Sequence, residues 1–347
     1  SSFPMNRRHF LATTAALAAS NLQASSSRLK IGQIGTQHAH AAGKMQSVRS
    51  LSEIWEVMGI VEAKGDTQSK IYEGLTRLTE AELLAMPEVK AIAVETAIED
   101  SCTTAMRCIQ AGKHIHLDKP GALDHATFKE MRLTAENRSL TVQMGYMLRY
   151  NPAFELLFKA VREGWLGEIT EIDAAMGKQA DPKTRSQLAQ LPGGGFFELA
   201  CHVTDAVLTI LGKPKSVHAF STPLGTDGMR DNQMAVLEYD KATAVIRCNH
   251  VDPFGGPRRR FNVTGTDGTL EILPLESGRV NLSLTKACAG FKKGTQSLHL
   301  EVPKDRYVGE FLDLARIVRG EKNLAWDAKH DIAVHETVLR AAGAWQS

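Results

Sequence analysis

The sequence is short of three things, and each shortage excludes a class of protein. It has no excess of charge: 41 Lys and Arg against 39 Asp and Glu leave a formal net charge of +2. A nucleic-acid footprint needs clustered basic surplus. The one basic run, Arg258-Arg259-Arg260, abuts the strand-like Phe261-Asn262-Val263-Thr264 and reads as a solvated strand end. Cysteine is scarce. Cys102, Cys108, Cys201, Cys248 and Cys288 are scattered without a C-x-x-C pair, and an odd count cannot close completely into disulfides. They read as small buried hydrophobes. Apolar runs are short too. The alanine-rich stretch Ala12–Ser20 is well below the ~20 residues that span a bilayer.

What is present describes an ordinary globular chain with 43% hydrophobic and 23% charged residues. Its 347 residues suffice for two domains with separate cores. Arg7-Arg8, followed by Phe10-Leu11 and the alanine-rich run, match a twin-arginine export signal, with Met5 as the start. Residues 1–27 are therefore expected to be signal and linker. The protein is then periplasmic or secreted, or cytoplasmic if the signal is not used.

From residue 28 to 148 short apolar strands alternate with helices. The strands are Leu29–Ile34, Trp55–Val61, Ala91–Val94, His114–Leu117 and Thr141–Gly145. The helices are Ala39–Leu51, Glu80–Met86, Ser101–Ala111 and Asp124–Asn137. This is the pattern of a doubly wound parallel sheet of Rossmann type. After Arg149-Tyr150-Asn151-Pro152 the pattern changes. One helix, Ala153–Glu163, precedes strands at 168–174, 216–220, 233–238, 243–249, 261–265, 268–272 and 280–284. Turns such as Thr266-Asp267-Gly268 link some of them as hairpins. Residues 149–347 are expected to form an α+β substrate and oligomerisation domain around an open, largely antiparallel sheet, closed by helices Glu310–Arg319 and Ala328–Trp345.

Two segments carry chemistry. Ala111-Gly112-Lys113-His114-Ile115-His116-Leu117-Asp118-Lys119-Pro120 ends an apolar run with an acid, a lysine and a proline. Gly193-Gly194-Gly195 opens a helix bearing Glu198, His202 and Asp205 at i, i+4 and i+7, hence on one face. A lysine on one element and a carboxylate–imidazole face on another can move a proton off a hydroxyl and stabilise the oxygen left behind. The strand–turn–helix at Gly35-Thr36-Gln37-His38-Ala39-His40 has dinucleotide-binding geometry, but only Gly35 fits G-x-G-x-x-G. Glu62 ends the second strand, where an acid accepts from ribose hydroxyls and favours NAD over NADP. The pairs His38/His40 and His114/His116 lack a carboxylate or cysteine at ligand spacing, so no metal site is expected.

On these motifs the chain resembles the Gfo/Idh/MocA oxidoreductase family. The A-G-K-H-V-x-x-E-K-P motif is matched by Ala111–Pro120 with Asp118 for Glu. The G-G-G-x-x-x-D-x-G-x-H-x-x-D motif is matched by Gly193–Asp205, one residue shorter after the glycines, with Glu198 for Asp and Ala200 for Gly. The resemblance implies that Lys119 lies beside the nicotinamide and the reacting hydroxyl, that Pro120 follows a cis bond, and that His202 is the acid/base. It implies that Glu198 orients or relays for His202, and that Thr96 and Asp118 line the nicotinamide side. Gly35, Thr36, Gln37, His38 and Glu62 would hold the rest of the cofactor. Tyr146, Arg149 and Asp205 would border the substrate. It also implies a homo-oligomer joined through the second sheet. The leading activity is hydride transfer between NAD(P) and a hydroxyl of a sugar, sugar acid or polyol. Two others stay open: glycoside cleavage by a recycled NAD, and non-catalytic sugar binding.

Overall fold

A computed structural model describes residues 27–62 and 69–345, and almost all of the expected 1–27 export segment lies outside them. Five short apolar segments build the first sheet: β1 (Leu29–Ile34), β2 (Trp55–Val61), β3 (Val89–Val94), β4 (His114–Leu117) and β5 (Val142–Met144). They pair in parallel in the order β2-β1-β3-β4-β5. Crossover helices α1 (Ala41–Ser50), α2 (Glu80–Ala85), α3 (Ile98–Gln110) and α4 (His125–Asn137) connect them. Both faces are covered, which is why β3 and β4 are almost wholly buried. Local signals set the helix starts. Thr79 and Glu82 form a capping box at α2, and the Asp124 carboxylate accepts from Ala126 and Thr127 at α4.

The second half is an eight-stranded, mostly antiparallel sheet. Its strands are β6 (Ile169–Gly177), β7 (Ser216–Ser221), β8 (Asn232–Glu238), β9 (Thr243–Asn249), β10 (Arg260–Gly265), β11 (Gly268–Ile272), β12 (Arg279–Leu284) and β13 (Gly294–His299). The order is β13-β12-β11-β10-β6-β9-β8-β7, and the central pair β6/β9 is parallel. Alternating burial along β8, β9 and β12 leaves one face packed and the other open. The packed face carries α7 (Cys201–Leu211), and Phe154 of α5 (Pro152–Arg162) meets Phe261 of β10 edge-on at 5.2 Å. The Rossmann-type sheet followed by an α+β half is the expected architecture. Two elements were not expected: β13, a polar edge strand, and α6 (Pro182–Leu188), capped by Asp181 with Pro182 in its first turn.

The last two helices return to the first sheet. α8 (Val308–Val318) lies by β2, with the Trp55 indole donating to the Phe311 carbonyl at 3.1 Å. α9 (Ala328–Ala341) packs on α4 and α7. The buried Lys44 ammonium of α1 pairs with Glu310 of α8, so a charge from each end of the chain is neutralised where the two halves meet.

Candidate active site

In a parallel sheet, ligands bind beyond the carboxyl ends of the strands where the order reverses, here between β1 and β3. β4 delivers Asp118 and Lys119 to that edge, and the Lys119–Pro120 bond is cis. Lys119 is only 2% exposed. Its ammonium donates to the Glu198 carbonyl at 2.8 Å and pairs with the Glu198 carboxylate. Burial lowers a lysine, but the adjacent Glu198 outweighs it, and Lys119 is held above its ordinary range. Burial raises Glu198 in turn, but Lys119, and then Lys178 at 4.0 Å, hold it well below the usual carboxylate range.

Glu198 belongs to a wide turn, Phe196–Ala200, that leads into α7 with π-type spacing. The i, i+4 expectation assumed an α-helix. Here no hydrogen bond joins Glu198 to His202, and Glu198 is engaged by Lys119 instead. His202 sits in the first turn of α7, buried, with Nδ1 unpartnered and the Tyr146 ring edge-on at 6.0 Å. Burial, then Lys119 and His40, push its imidazole well below the ordinary histidine value. It is therefore neutral at neutral pH and able to accept a proton. Lys119 grips Glu198 four residues before His202, so the two expected groups lie along the same stretch of chain.

The loop after β1 follows from one glycine. Gly35 has φ +89°, and a Cβ there would lie 2.6 Å from the Thr96 backbone nitrogen. Only glycine combines that conformation with that approach. Gln37 reaches across to accept from the Ala97 N–H at 3.2 Å, and Thr36 is buried. The Thr96 hydroxyl is buried with no partner beside this turn. Glu62, at the end of β2, is paired with Arg77 at 3.3 Å. A tight glycine turn opening α1, an orphaned hydroxyl beside it and an acid at the end of β2 fit a dinucleotide.

The absence of a convergent carboxylate, on which the expectation of no metal site rested, does not hold for His38 and His40. Asp118 lies between them, with Oδ2 at 3.2 Å from His38 Nδ1 and 2.9 Å from His40 Nδ1. Glu95, at the end of β3, is completely buried 3.9 Å from His38 Nδ1. Burial, with Asp118 next to it, pushes the Glu95 carboxyl well above its usual range. Burial also raises Asp118, but the two histidines and Lys44 outweigh it and hold it low. The other pair stays apart: His116 meets Gln143 and Glu310, and the His114 Nδ1 accepts from the Thr141 N–H.

Arg149 and Asp205, expected at the substrate, are instead an internal brace. The Arg149 guanidinium donates to both oxygens of Asp205, at 3.0 and 2.6 Å, and to Asp331 at 2.7 Å. It is sandwiched between Trp326 and Tyr146. Fully buried, these side chains hold α7 and α9 together beneath the site, with the Arg149 Nη1 left without a hydrogen-bond partner. Tyr146 is buried as well, with its ring edge-on to the His202 ring. Glu95, Lys44 and Glu310 were not singled out in sequence. The signal for Glu95 was available: an acid directly ending the apolar strand Val89–Val94.

Comparison with known proteins shows the family and the fold. Residues 29–146 match the family model described as "Oxidoreductase family, NAD-binding Rossmann fold", and residues 154–271 match the "GFO/IDH/MocA C-terminal domain". Together they span more than half of the chain, which belongs to the Gfo/Idh/MocA oxidoreductase family. The uncharacterized oxidoreductase YhhX of Escherichia coli is 28% identical over 64% of this chain and 65% of that protein. The NADP(+)-dependent scyllo-inositol 2-dehydrogenase IolW of Bacillus subtilis is 24% identical over 53% and 51%. The matches thus span about half to two thirds of these relatives. Among solved structures, levoglucosan dehydrogenase in complex with NADH and levoglucosan superposes with a TM-score of 0.80 at 16% identity, covering 92% of this chain and 97% of that one. At that identity the likeness shows the fold.

Proposed function

We propose that the protein transfers a hydride between NAD and a ring or chain hydroxyl carbon of a sugar, sugar acid or polyol. The observation that carries this is Lys119, a buried ammonium held charged by Glu198, which stands four residues before the buried, neutral imidazole of His202. The nicotinamide, when bound, supplies the hydride-accepting carbon. His202 takes the hydroxyl proton, because burial keeps it unprotonated. The Lys119 ammonium stabilises the oxygen as negative charge develops, in a site dry enough for that charge to count. Glu198 positions Lys119. Gly35, Thr36, Gln37 and His38 frame the turn for the pyrophosphate, Thr96 and Asp118 border the nicotinamide, and Glu62 accepts from the adenosine ribose. The substrate class is supported by a relative named for scyllo-inositol, a ring dense in hydroxyls. We read the protein as exported, and as an oligomer joined through the open face of the second sheet.

The test is NAD reduction by a panel of sugars, sugar acids and polyols. An active substrate should lose about 10²–10⁴-fold in kcat on Lys119→Ala or His202→Ala. Full activity in both variants sinks the assignment of roles. A glycoside cleaved without net reduction of NAD replaces hydride release by a recycled cofactor. Absence of any dinucleotide binding leaves a sugar-binding protein.

A further inference from the structure

Strand alternation puts Ile172, Ala174 and Met176 of β6 on the packed face of the second sheet, and Ala244, Ile246 and Cys248 of β9 beside them. The two strands are parallel neighbours, with Met176 opposite Cys248 and Gly177 opposite Asn249. Pairing runs on past the strand ends. The Lys178 N–H donates to the Asn249 carbonyl at 3.0 Å, and the Ala180 N–H to the His250 carbonyl at 2.9 Å. The next inward positions are therefore Lys178 and His250. An apolar row ends in a lysine, pointed at the site rather than at the open face. Its backbone is fixed from the far side too, because a Cβ on Gly255 would lie 2.6 Å from the Lys178 nitrogen.

We propose that Lys178 binds a carboxylate on the substrate, so that a sugar acid is taken in preference to the matching neutral sugar or polyol. Three observations support it. First, among the described residues the one acid within 4.0 Å of the Lys178 ammonium is Glu198, at 4.0 Å, too far for a hydrogen bond. Second, the Glu198 charge is already engaged by Lys119 through the other carboxylate oxygen. Two ammoniums thus face one carboxylate, and one positive charge is left over beside the reacting group. A single negative charge balances it, which suits a carboxylate better than a phosphate dianion. Third, the Glu198 oxygen nearer Lys178 is buried and without a hydrogen-bond partner, so the gap between them lacks a ligand on both sides. Lys178 comes from the second sheet and not from the strands that carry the dinucleotide turn. Its side chain is 33% exposed, which leaves the ammonium open to a substrate entering the cleft. Lys119 and Lys178 stand a single carboxylate's width apart, so one small molecule can offer its hydroxyl to the first and its carboxylate to the second.

This selection rests on the hydride-transfer reading, and the two can fail separately. Full-length protein is assayed with NAD near neutral pH, where carboxylates are ionised. The panel is made of matched pairs, each hexuronate with its parent hexose and each aldonate with its alditol. The acid of an active pair should exceed its neutral partner in kcat/KM by about 10-fold or more. Lys178→Met should remove most of that preference, chiefly by raising KM for the acid, with an unchanged circular dichroism spectrum. Lys178→Arg, which keeps the charge, should keep the preference. If Lys178→Met misfolds, Lys178→Gln reads the same charge. The same pairs are titrated into the protein by calorimetry. Carboxylate-dependent binding that Lys178→Met abolishes upholds the proposal even where no pair reduces NAD, and then the hydride reading alone fails. Turnover of neutral members without preference for the acid overturns the proposal and leaves the hydride reading standing. No binding of any acid overturns it. So does a preference that survives Lys178→Met, one that Lys178→Arg loses equally, or one for hexose 6-phosphates over hexuronates.

Discussion

The Lys119 ammonium reaches 79 residues along the chain to grip Glu198 twice, by its carboxylate and by its backbone carbonyl. One bond fixes the ammonium's charge and the other fixes its position. Removing the first should leave the second. Glu198→Gln keeps the carbonyl contact and the side-chain volume but removes the negative charge that opposes desolvation. The Lys119 pKa should then fall. Lys119 acts in its charged form, so the high-pH limb of kcat/KM should move to lower pH, with a loss of about 10–100-fold near neutrality. An unpaired buried ammonium also costs stability, on the order of 3 kcal/mol. A pH profile identical to wild type would detach Glu198 from Lys119 function.

Gly195 is fixed by a ring rather than by its backbone. Its φ of −65° suits any residue, but a Cβ there would fall 2.3 Å from two atoms of the buried His250 imidazole. That ring is packed in the interior and has little room to retreat. Gly195→Ala should destabilise by about 1–3 kcal/mol in a denaturant melt. Gly195→Ala combined with His250→Ala should be more stable than the two single losses predict, because the second change removes the clash. Strict additivity would place the strain elsewhere.

These two sites show how far the sequence could be read. The strand–helix alternation, the change of pattern after Arg149 and the two motifs were legible, because apolar periodicity and glycine turns are local. The polar edge strand Gly294–His299 was not, since Leu298 is its one apolar side chain and a single apolar residue makes no alternation. Nor was the wide turn at Phe196–Ala200, which redirects Glu198 from His202 to Lys119 without changing residue spacing. The brace of Arg149 with Asp205 and Asp331, and the gathering of His38, His40, Glu95 and Asp118, join residues far apart in the chain. Nothing local announces such pairs.

Acid should weaken the fold well above the carboxylate range. Burial lowers His116 to about 3, and His250 and His335 to about 4. Each is neutral in the folded state and protonates in the unfolded chain below its ordinary value, 6.5. The unfolded state then binds more protons, so stability present above pH 6.5 is lost as pH falls toward 4. Each contributes about 1.4 kcal/mol per pH unit inside that window. Glu310, raised by burial to about 7, works the other way, binding its proton first in the folded state. Glu95 shares that sign, but the depressed histidines outnumber the two acids. His335→Gln tests one contribution, because glutamine can still donate to the Ala122 carbonyl that His335 contacts at 2.9 Å. Melts from pH 7 to 4.5 should show a slope shallower by about one proton. An unchanged slope would mean that His335 titrates normally in the folded protein.

Cofactor choice should turn on Glu62 and the arginine it holds. Glu62 ends β2, where its carboxylate would accept from the ribose hydroxyls and repel a 2′-phosphate. Arg77 is the cation a 2′-phosphate would seek, and Glu62 keeps its Nε engaged at 3.3 Å while its Nη1 donates to the Tyr72 and Leu75 carbonyls. Glu62→Ser removes the repulsion and releases one face of the guanidinium in a single step. Affinity for NAD should fall and affinity for NADP should rise, shifting their ratio at least 10-fold, about 1.4 kcal/mol. Fluorescence titration of reduced cofactors against both proteins measures it. Glu62→Ser combined with Arg77→Ala should lose the gain for NADP while keeping the loss for NAD. If wild type already prefers NADP, the Glu62–Arg77 pair opens on binding, and the arginine rather than the acid sets the choice.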